Sequence, residues 1–150
     1  MCSSIFSKPG GSAAVLSSTT SVSPTFTVDR AGNYVAQLIV NDGTVDDTDS
    51  VVIATINVAP VANAGPDQPG VVPLSSVTLN GSGSSDDNGD LLTYSWSFTS
   101  RPDGSAATLD NPTSPMPTFT VDLIGTYVVE LIVHDGTVGS AADSVTITSP

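Results

Sequence analysis

Apolar and polar residues alternate in short runs along most of the chain. In LTYSWSF (92–98) and YVVELIV (127–133), every second residue is large and apolar. A period of two places one side of a β-strand in a core. Asp-Gly dipeptides at 42–43 and 135–136 are of the kind that reverse a strand. Since no segment has convincing helical periodicity, the pattern predicts an all-β protein with seven or so short strands in its complete part, arranged as a two-sheet sandwich.

One long stretch occurs twice. Thr25–Val45 reads TFTVDRAGNYVAQLIVNDGTV, and Thr118–Val138 reads TFTVDLIGTYVVELIVHDGTV, at an offset of 93 residues. A repeat of this length is a whole domain rather than a solenoid unit. Residues 60–150 are therefore predicted to form a complete unit, and 1–59 to correspond to the later part of another. Pro60, which favours an extended entry, marks the boundary.

The repeat also predicts the register of its longest strand. The residues expected to point inward are Tyr127, Val129, Leu131 and Val133 in the second copy, and Tyr34, Ala36, Leu38 and Val40 in the first. Asp-x-x-Gly-x-Tyr, present in both copies, predicts a tyrosine corner, in which the hydroxyl bonds back to the upstream backbone. A first strand of the complete unit is expected from 61–64 and 71–72, interrupted by proline.

Composition and charge exclude several classes of function. The net charge is −12, with three basic residues, so phosphate backbones and anionic lipids would repel the chain, and nucleic-acid binding is not expected. Because Cys2 is the single cysteine, no internal disulfide can form, and the thiol is either incidental or pairs with another chain. No run of about 18 apolar residues occurs, so no membrane insertion is expected.

One acidic loop is a candidate cation site. Asp86, Asp87 and Asp90 stand with an Asn and a Gly in SSDDNGD (84–90), and carboxylates at this spacing are ligands that Ca²⁺ prefers. The alternative is a solvated acidic turn held by Asx hydrogen bonds. A second acidic cluster, 46–49, is expected to be plain surface.

No catalytic constellation occurs, so an enzyme is not expected. His134 is the only histidine, which excludes a Ser/His/Asp triad or a typical zinc site within one chain. It is expected at the surface, at a strand end. Trp96 could be imagined as a platform for stacking a sugar ring. Its alternation with Tyr94 and Phe98 predicts instead that it is buried.

The segments VANAGPDQ (61–68), VTLNGSGSSDDNGDLLTYSWSF (77–98) and DLIGTYVVELIVHDGTV (122–138) resemble the PKD (polycystic kidney disease) repeat family, most closely its bacterial and archaeal extracellular type. The resemblance implies an immunoglobulin-like β-sandwich of about ninety residues, found extracellularly in tandem arrays. It also implies roles in cell adhesion, in surface layers, or as spacers and substrate-binding appendages of secreted hydrolases. Some family members bind calcium near the acidic loop with help from the linker region, to which the resemblance implies that Asn63 or Asp67 could contribute here.

The first copy departs from this pattern. It lacks the two preceding strands, the acidic loop and the core tryptophan, since Ser3 stands at the position of Trp96. Either the chain is a fragment of a longer tandem protein, or strands from a neighbouring chain complete 1–59, by self-association or from other PKD-like units. The expected function is a non-catalytic extracellular module that builds a surface appendage or filament. The alternative is a glycan- or protein-binding or spacer module of a secreted hydrolase or adhesin.

Overall fold

Nine strands carry the fold in the computed structural model, which describes residues 2–150. They are β1 (Cys2–Ser7), β2 (Gly32–Asn41), β3 (Asp46–Thr55), β4 (Gln68–Pro69), β5 (Ser76–Thr78), β6 (Thr93–Ser100), β7 (Thr118–Thr120), β8 (Gly125–His134) and β9 (Asp143–Ser149). The chain divides into two compact units, Met1–Val58 and Ala59–Pro150, here called unit 1 and unit 2. Within the described residues, no helix is long and apolar enough to cross a bilayer.

Unit 2 is a closed two-sheet sandwich. Its larger sheet has the order β4-β9-β8-β6, and its smaller sheet pairs β5 with β7. Tyr127, Val129, Leu131 and Val133, the residues predicted to point inward from β8, are all fully buried. Val77 and Phe119 of the smaller sheet pack into the same core. The prediction of an immunoglobulin-like β-sandwich is confirmed.

Unit 1 holds a single three-stranded antiparallel sheet, in the order β1-β2-β3. Tyr34 is fully buried, but further along the same face of β2 the exposed fraction is 38% for Leu38 and 40% for Val40. Leu38 pairs with Ser3 and Asp49, as the aligned leucine of β8 pairs with the equivalent residues of unit 2, so the register predicted from the repeat is present. Much of the burial that it implies is not. The inward face of β8 is buried in the core of unit 2, whereas the equivalent face of β2 is only partly buried in unit 1.

The entry into unit 2 differs from the prediction. Its first strand is β4, Gln68–Pro69, which pairs parallel to Ile147 and Thr148 of β9. Val61 makes only an isolated bridge, to Ser85. A two-residue parallel pairing contains no alternating apolar pattern, so its position cannot be predicted from periodicity.

Candidate functional site

An open apolar groove of about 360 Å³ lies on the inner face of the unit 1 sheet. Its apolar lining comes from β2, β3 and the segment between β1 and β2, through Leu16, Phe26, Ala36, Leu38, Val51 and Ile53. Val51 is 56% exposed. Water thus contacts apolar surface that the sequence pattern assigns to a core. A partner that covered this surface would remove it from water, which would stabilise the complex.

The equivalent space in unit 2 is filled. Trp96 is buried at the position that Ser3 holds in unit 1, and its indole nitrogen donates to the carbonyl of Ser114 at 3.1 Å. Val77 and Leu79 enter the same core from the strand that covers it. The groove of unit 1 therefore lies where unit 2 has Trp96 and the segment of Val77 and Leu79.

A tyrosine corner fixes the frame of each unit. The Tyr127 hydroxyl lies 2.7 Å from Asp122 Oδ1 and 2.8 Å from the carbonyl of Leu123, and it accepts the Leu123 N–H at 2.9 Å. Tyr34 makes the same contacts with Asp29 and Arg30. The corner predicted from the spacing is confirmed in both copies. Unit 1 thus holds its corner with the same hydrogen bonds as unit 2.

The corner aspartates also hold an upstream loop. Asp122 accepts the Ser105 hydroxyl at 2.7 Å and the Ala106 N–H at 2.6 Å. The Ser105 hydroxyl, followed by that of Tyr127, lowers the pKa of Asp122 to about 2. In unit 1, the Ser12 hydroxyl is the largest cause that lowers the pKa of Asp29 to about 2. Hydrogen bonds to the ionised form favour it, so both carboxylates stay charged over most of the pH range.

Each of these loops is also held by a basic side chain. Lys8 Nζ donates to the carbonyl of Ala14 at 2.8 Å, and Arg101 donates to the carbonyl of Ala107. Arg101 also lies over the Phe98 ring, 5.2 Å from its centroid. Sequence reasoning missed these loop contacts. The repeated Lys/Arg-Pro-x-Gly-Ser-Ala-Ala stretch, at the same offset of 93 residues, was the signal that could have found them.

The five predicted calcium ligands do not all lie together in the structure. Asp86 Oδ1 accepts the N–H groups of Asn88 and Asp90, which is an Asx-type turn, while Asp86 Oδ2 is buried without a hydrogen-bond partner. Asn63 lies against the start of this loop and donates its N–H to Ser84 Oγ.

Of the other two predicted ligands, Asp67 bonds a strand outside the acidic loop, whereas Asp87 belongs to that loop. Asp67 Oδ1 accepts the Thr146 N–H of β9, and the Asp87 residue is exposed. Within residues 2–150, no three His, Cys, Asp or Glu side chains come together as a metal site. Calcium binding stays a prediction.

The remaining residues considered in the sequence are buried in the core or lie exposed on the surface. Trp96 is 4% exposed and offers no sugar-stacking surface. His134 ends β8 and is exposed, as expected, and its Nδ1 accepts the Gly136 N–H. Cys2 is a free, exposed thiol. Asp49, expected to be plain surface with Asp46 and Asp47, is exposed but also lines the groove.

The closed sandwich and its tyrosine corner define a PKD-type immunoglobulin-like domain. Residues 64–148 match the family described as "K319L-like, PKD domain", and the chain belongs to this family. The dyslexia-associated protein KIAA0319 homolog of Mus musculus is 36% identical over 122 residues, which cover 79% of this chain and 11% of that protein. The chain thus spans about a tenth of the length of the curated relatives it matches.

Two solved structures share the fold. The PKD domain from the KIAA 1837 protein is 37% identical with a TM-score of 0.51, covering 64% of this chain and 91% of that chain. A nucleoside hydrolase-related protein from Saccharophagus degradans has a TM-score of 0.55 at 23% identity, covers 64% of this chain and 26% of that one, and shows the fold alone. The expected bacterial or archaeal subtype is not confirmed, since curated relatives that match are mammalian.

Proposed function

We propose that the chain is a non-catalytic structural or adhesive module that acts outside the cell, and that strands of a neighbouring chain complete its unit 1. The apolar groove carries this proposal. Its lining includes Leu38 and Val51, which are 38% and 56% exposed, whereas Leu131, which aligns with Leu38, is fully buried in unit 2. The extracellular location rests on membership of the PKD family, whose domains are expected in tandem arrays at cell surfaces.

The free edges of unit 1 support assembly rather than catalysis. Within residues 2–150, its sheet ends at β1 on one side and β3 on the other, and no strand pairs with the outer edge of β3. The Thr48 and Ser50 N–H groups donate to the side chains of the preceding aspartates, so the part of this edge beyond Ser50 is the template for another chain. When the donor and acceptor surfaces differ, the contact is head-to-tail, and it propagates into a filament unless it closes into a ring. A surface appendage or filament is the form of assembly that follows.

Sedimentation velocity of the whole chain over a range of concentrations tests this function. We expect concentration-dependent association, with filaments visible by negative-stain electron microscopy. Val51→Asp, which places a charge in the groove, should abolish it. Val52→Asp is the matched control, because Val52 is 59% exposed and lies next in β3, where its side chain points to the opposite face.

The opposite results would overturn the assembly function. A chain that remains monomeric at every concentration, or association that Val51→Asp and Val52→Asp weaken equally, would contradict a role for the groove. A monomer that binds an array of glycans or surface proteins would favour the alternative, a binding or spacer module. The burial of Trp96 removes the one indole surface that a glycan could stack on.

A further inference from the structure

Unit 2 shows which segment covers the face that is open in unit 1. Its β5 pairs antiparallel with β7, in the register Ser76↔Thr120, Val77↔Phe119 and Thr78↔Thr118. Beyond this pairing, the Leu79 N–H donates to the carbonyl of Pro117 at 2.9 Å, and the Gly81 N–H donates to that of Pro115 at 2.8 Å. Val77 and Leu79 are 3% and 0% exposed. A Val-x-Leu-x-Gly strand thus closes the core.

The acceptor for such a strand is already formed in unit 1. Thr25–Thr27 aligns with β7, and the Phe26 and Tyr34 rings lie 5.4 Å apart, as the aligned Phe119 and Tyr127 rings do at 5.5 Å. The carbonyl of Thr25 accepts the Ser17 N–H at 2.7 Å, which occupies one edge of this segment. Its other edge has no strand beside it in the part of the chain that the structure describes.

Asp49 marks a second point of attachment. In unit 2, Asp143 Oδ2 accepts the Ala64 N–H at 2.8 Å from the segment that then pairs along β9. Allowing one residue after the Asp-Gly turn, Asp49 aligns with Asp143 and lines the groove. Its Oδ1 accepts the Ser50 N–H at 2.8 Å, so Oδ2, the atom that Asp143 uses in unit 2, is the acceptor for an incoming strand. An ionised carboxylate is complementary to the backbone N–H of an incoming strand. A single stretch, 64–81, makes both attachments in unit 2.

Resting on the proposed function, we infer that the partner of unit 1 is an extended segment with the pattern of residues 60–82. Its Val-x-Leu-x-Gly part pairs antiparallel with Thr25–Thr27, and its first part runs beside β3 and donates an N–H to Asp49. The side chains at the Val and Leu positions fill the groove. The donor is a second copy of this chain, whose 60–82 segment, buried in its own unit 2, leaves that unit and is exchanged between copies as in domain swapping.

A synthetic peptide with the sequence of residues 60–82, titrated into the whole ¹⁵N-labelled chain, tests the inference. We expect saturable binding, with NMR shifts concentrated at Thr25–Thr27 and along β3. A peptide carrying Val77→Asp and Leu79→Asp should bind about tenfold or more weakly, because its apolar contacts are lost. Val51→Asp in the chain should weaken binding similarly, whereas Val52→Asp should not.

The outcomes separate this inference from the proposed function. Association of the chain that the peptide neither binds nor reverses would overturn this choice of partner and leave the assembly function standing. A monomeric chain that binds the peptide in the stated register would support the strand site and overturn self-assembly. Equal binding of the native and doubly substituted peptides would overturn the register and the donor pattern.

Discussion

At the scale of single residues, one carboxylate in each unit joins a turn to a loop that lies far from it in sequence. Asp122 bonds Ser105, Ala106 and Tyr127, and Asp29 bonds the aligned residues of unit 1. Tyr127 is buried, so its hydroxyl would be costly to leave without a partner. The charge of this aspartate therefore links the corner and the loop into one structure.

This link predicts a specific response to acid. Hydrogen bonds, first from Ser105 and then from Tyr127, lower the pKa of Asp122 from 3.8 to about 2 in the folded state. A lowered pKa stabilises the fold above the unfolded-state value, and the stabilisation is lost as the pH falls through 3.8 toward about 2. Asp122→Asn removes this titrating group. The free energy of unfolding should therefore fall less in the variant than in wild type as the pH is lowered from 3.8 to about 2.

Urea unfolding followed by Trp96 fluorescence measures this effect in unit 2. The control is Asp103→Asn, an exposed aspartate in the same unit whose carboxylate makes none of these bonds. It should leave the acid-induced loss unchanged. The same acid response in wild type and Asp122→Asn would contradict the prediction.

Gly81 gives a second prediction at this scale. A Cβ added there would lie 2.9 Å from Trp96 Cζ2 and 3.0 Å from Leu131 Cδ2. The indole is held by its bond to Ser114 and cannot easily move away. We expect Gly81→Ala to destabilise unit 2 by about 1–3 kcal/mol through overpacking.

The measurement is again urea unfolding, with Gly139→Ala as the control. A Cβ at Gly139 would meet its nearest neighbour at 3.6 Å, an ordinary contact. This variant should stay within about 0.5 kcal/mol of wild type. If Gly81→Ala lowered the free energy of unfolding as little as Gly139→Ala does, the close packing of residue 81 against Trp96 would be contradicted.

At the scale of elements, the sequence pattern was most informative where one strand could be read alone. The alternation in β6 and β8 and the repeated Asp-x-x-Gly-x-Tyr spacing fixed the inward faces and both corners. β4 could not be found, because a two-residue parallel pairing depends on a strand distant in sequence. The calcium prediction rests on the spacing of the loop aspartates and, for Asn63 and Asp67, on the family resemblance. Neither shows that Asp67 bonds β9 while Asp86 caps its own turn, because both contacts depend on the folded backbone.

The acidic loop carries the calcium prediction. Asp86 Oδ2 is buried without a hydrogen-bond partner, and a bound cation would satisfy it. We predict that millimolar calcium, the range of extracellular modules, raises the melting temperature of unit 2 above its value in chelator. Asp86→Asn should abolish this rise, because Asn keeps the Oδ1 acceptor of the turn but removes the charge. Equal melting temperatures in calcium and in chelator would contradict the prediction.

At the scale of the whole molecule, the repeat makes each unit an internal reference for the other. β2 and β8 share a register and a tyrosine corner, but only β8 is covered by a second sheet. Differences in burial between aligned residues of β2 and β8 therefore reflect the second sheet of unit 2, and not the strands themselves. The free energy of local opening depends on buried apolar contacts, so it should differ between the two units.

Hydrogen exchange at aligned amides measures that difference. We predict that amides of Leu38 and Val40 exchange at least about tenfold faster than those of Leu131 and Val133, because the β2 face lacks a covering strand. Addition of the 60–82 peptide should slow exchange in β2 and leave β8 unchanged. Val51→Asp should block this protection. Equal protection of the two strands in a monomeric chain would mean that unit 1 is stable without a cover, and the need for a donor strand would disappear.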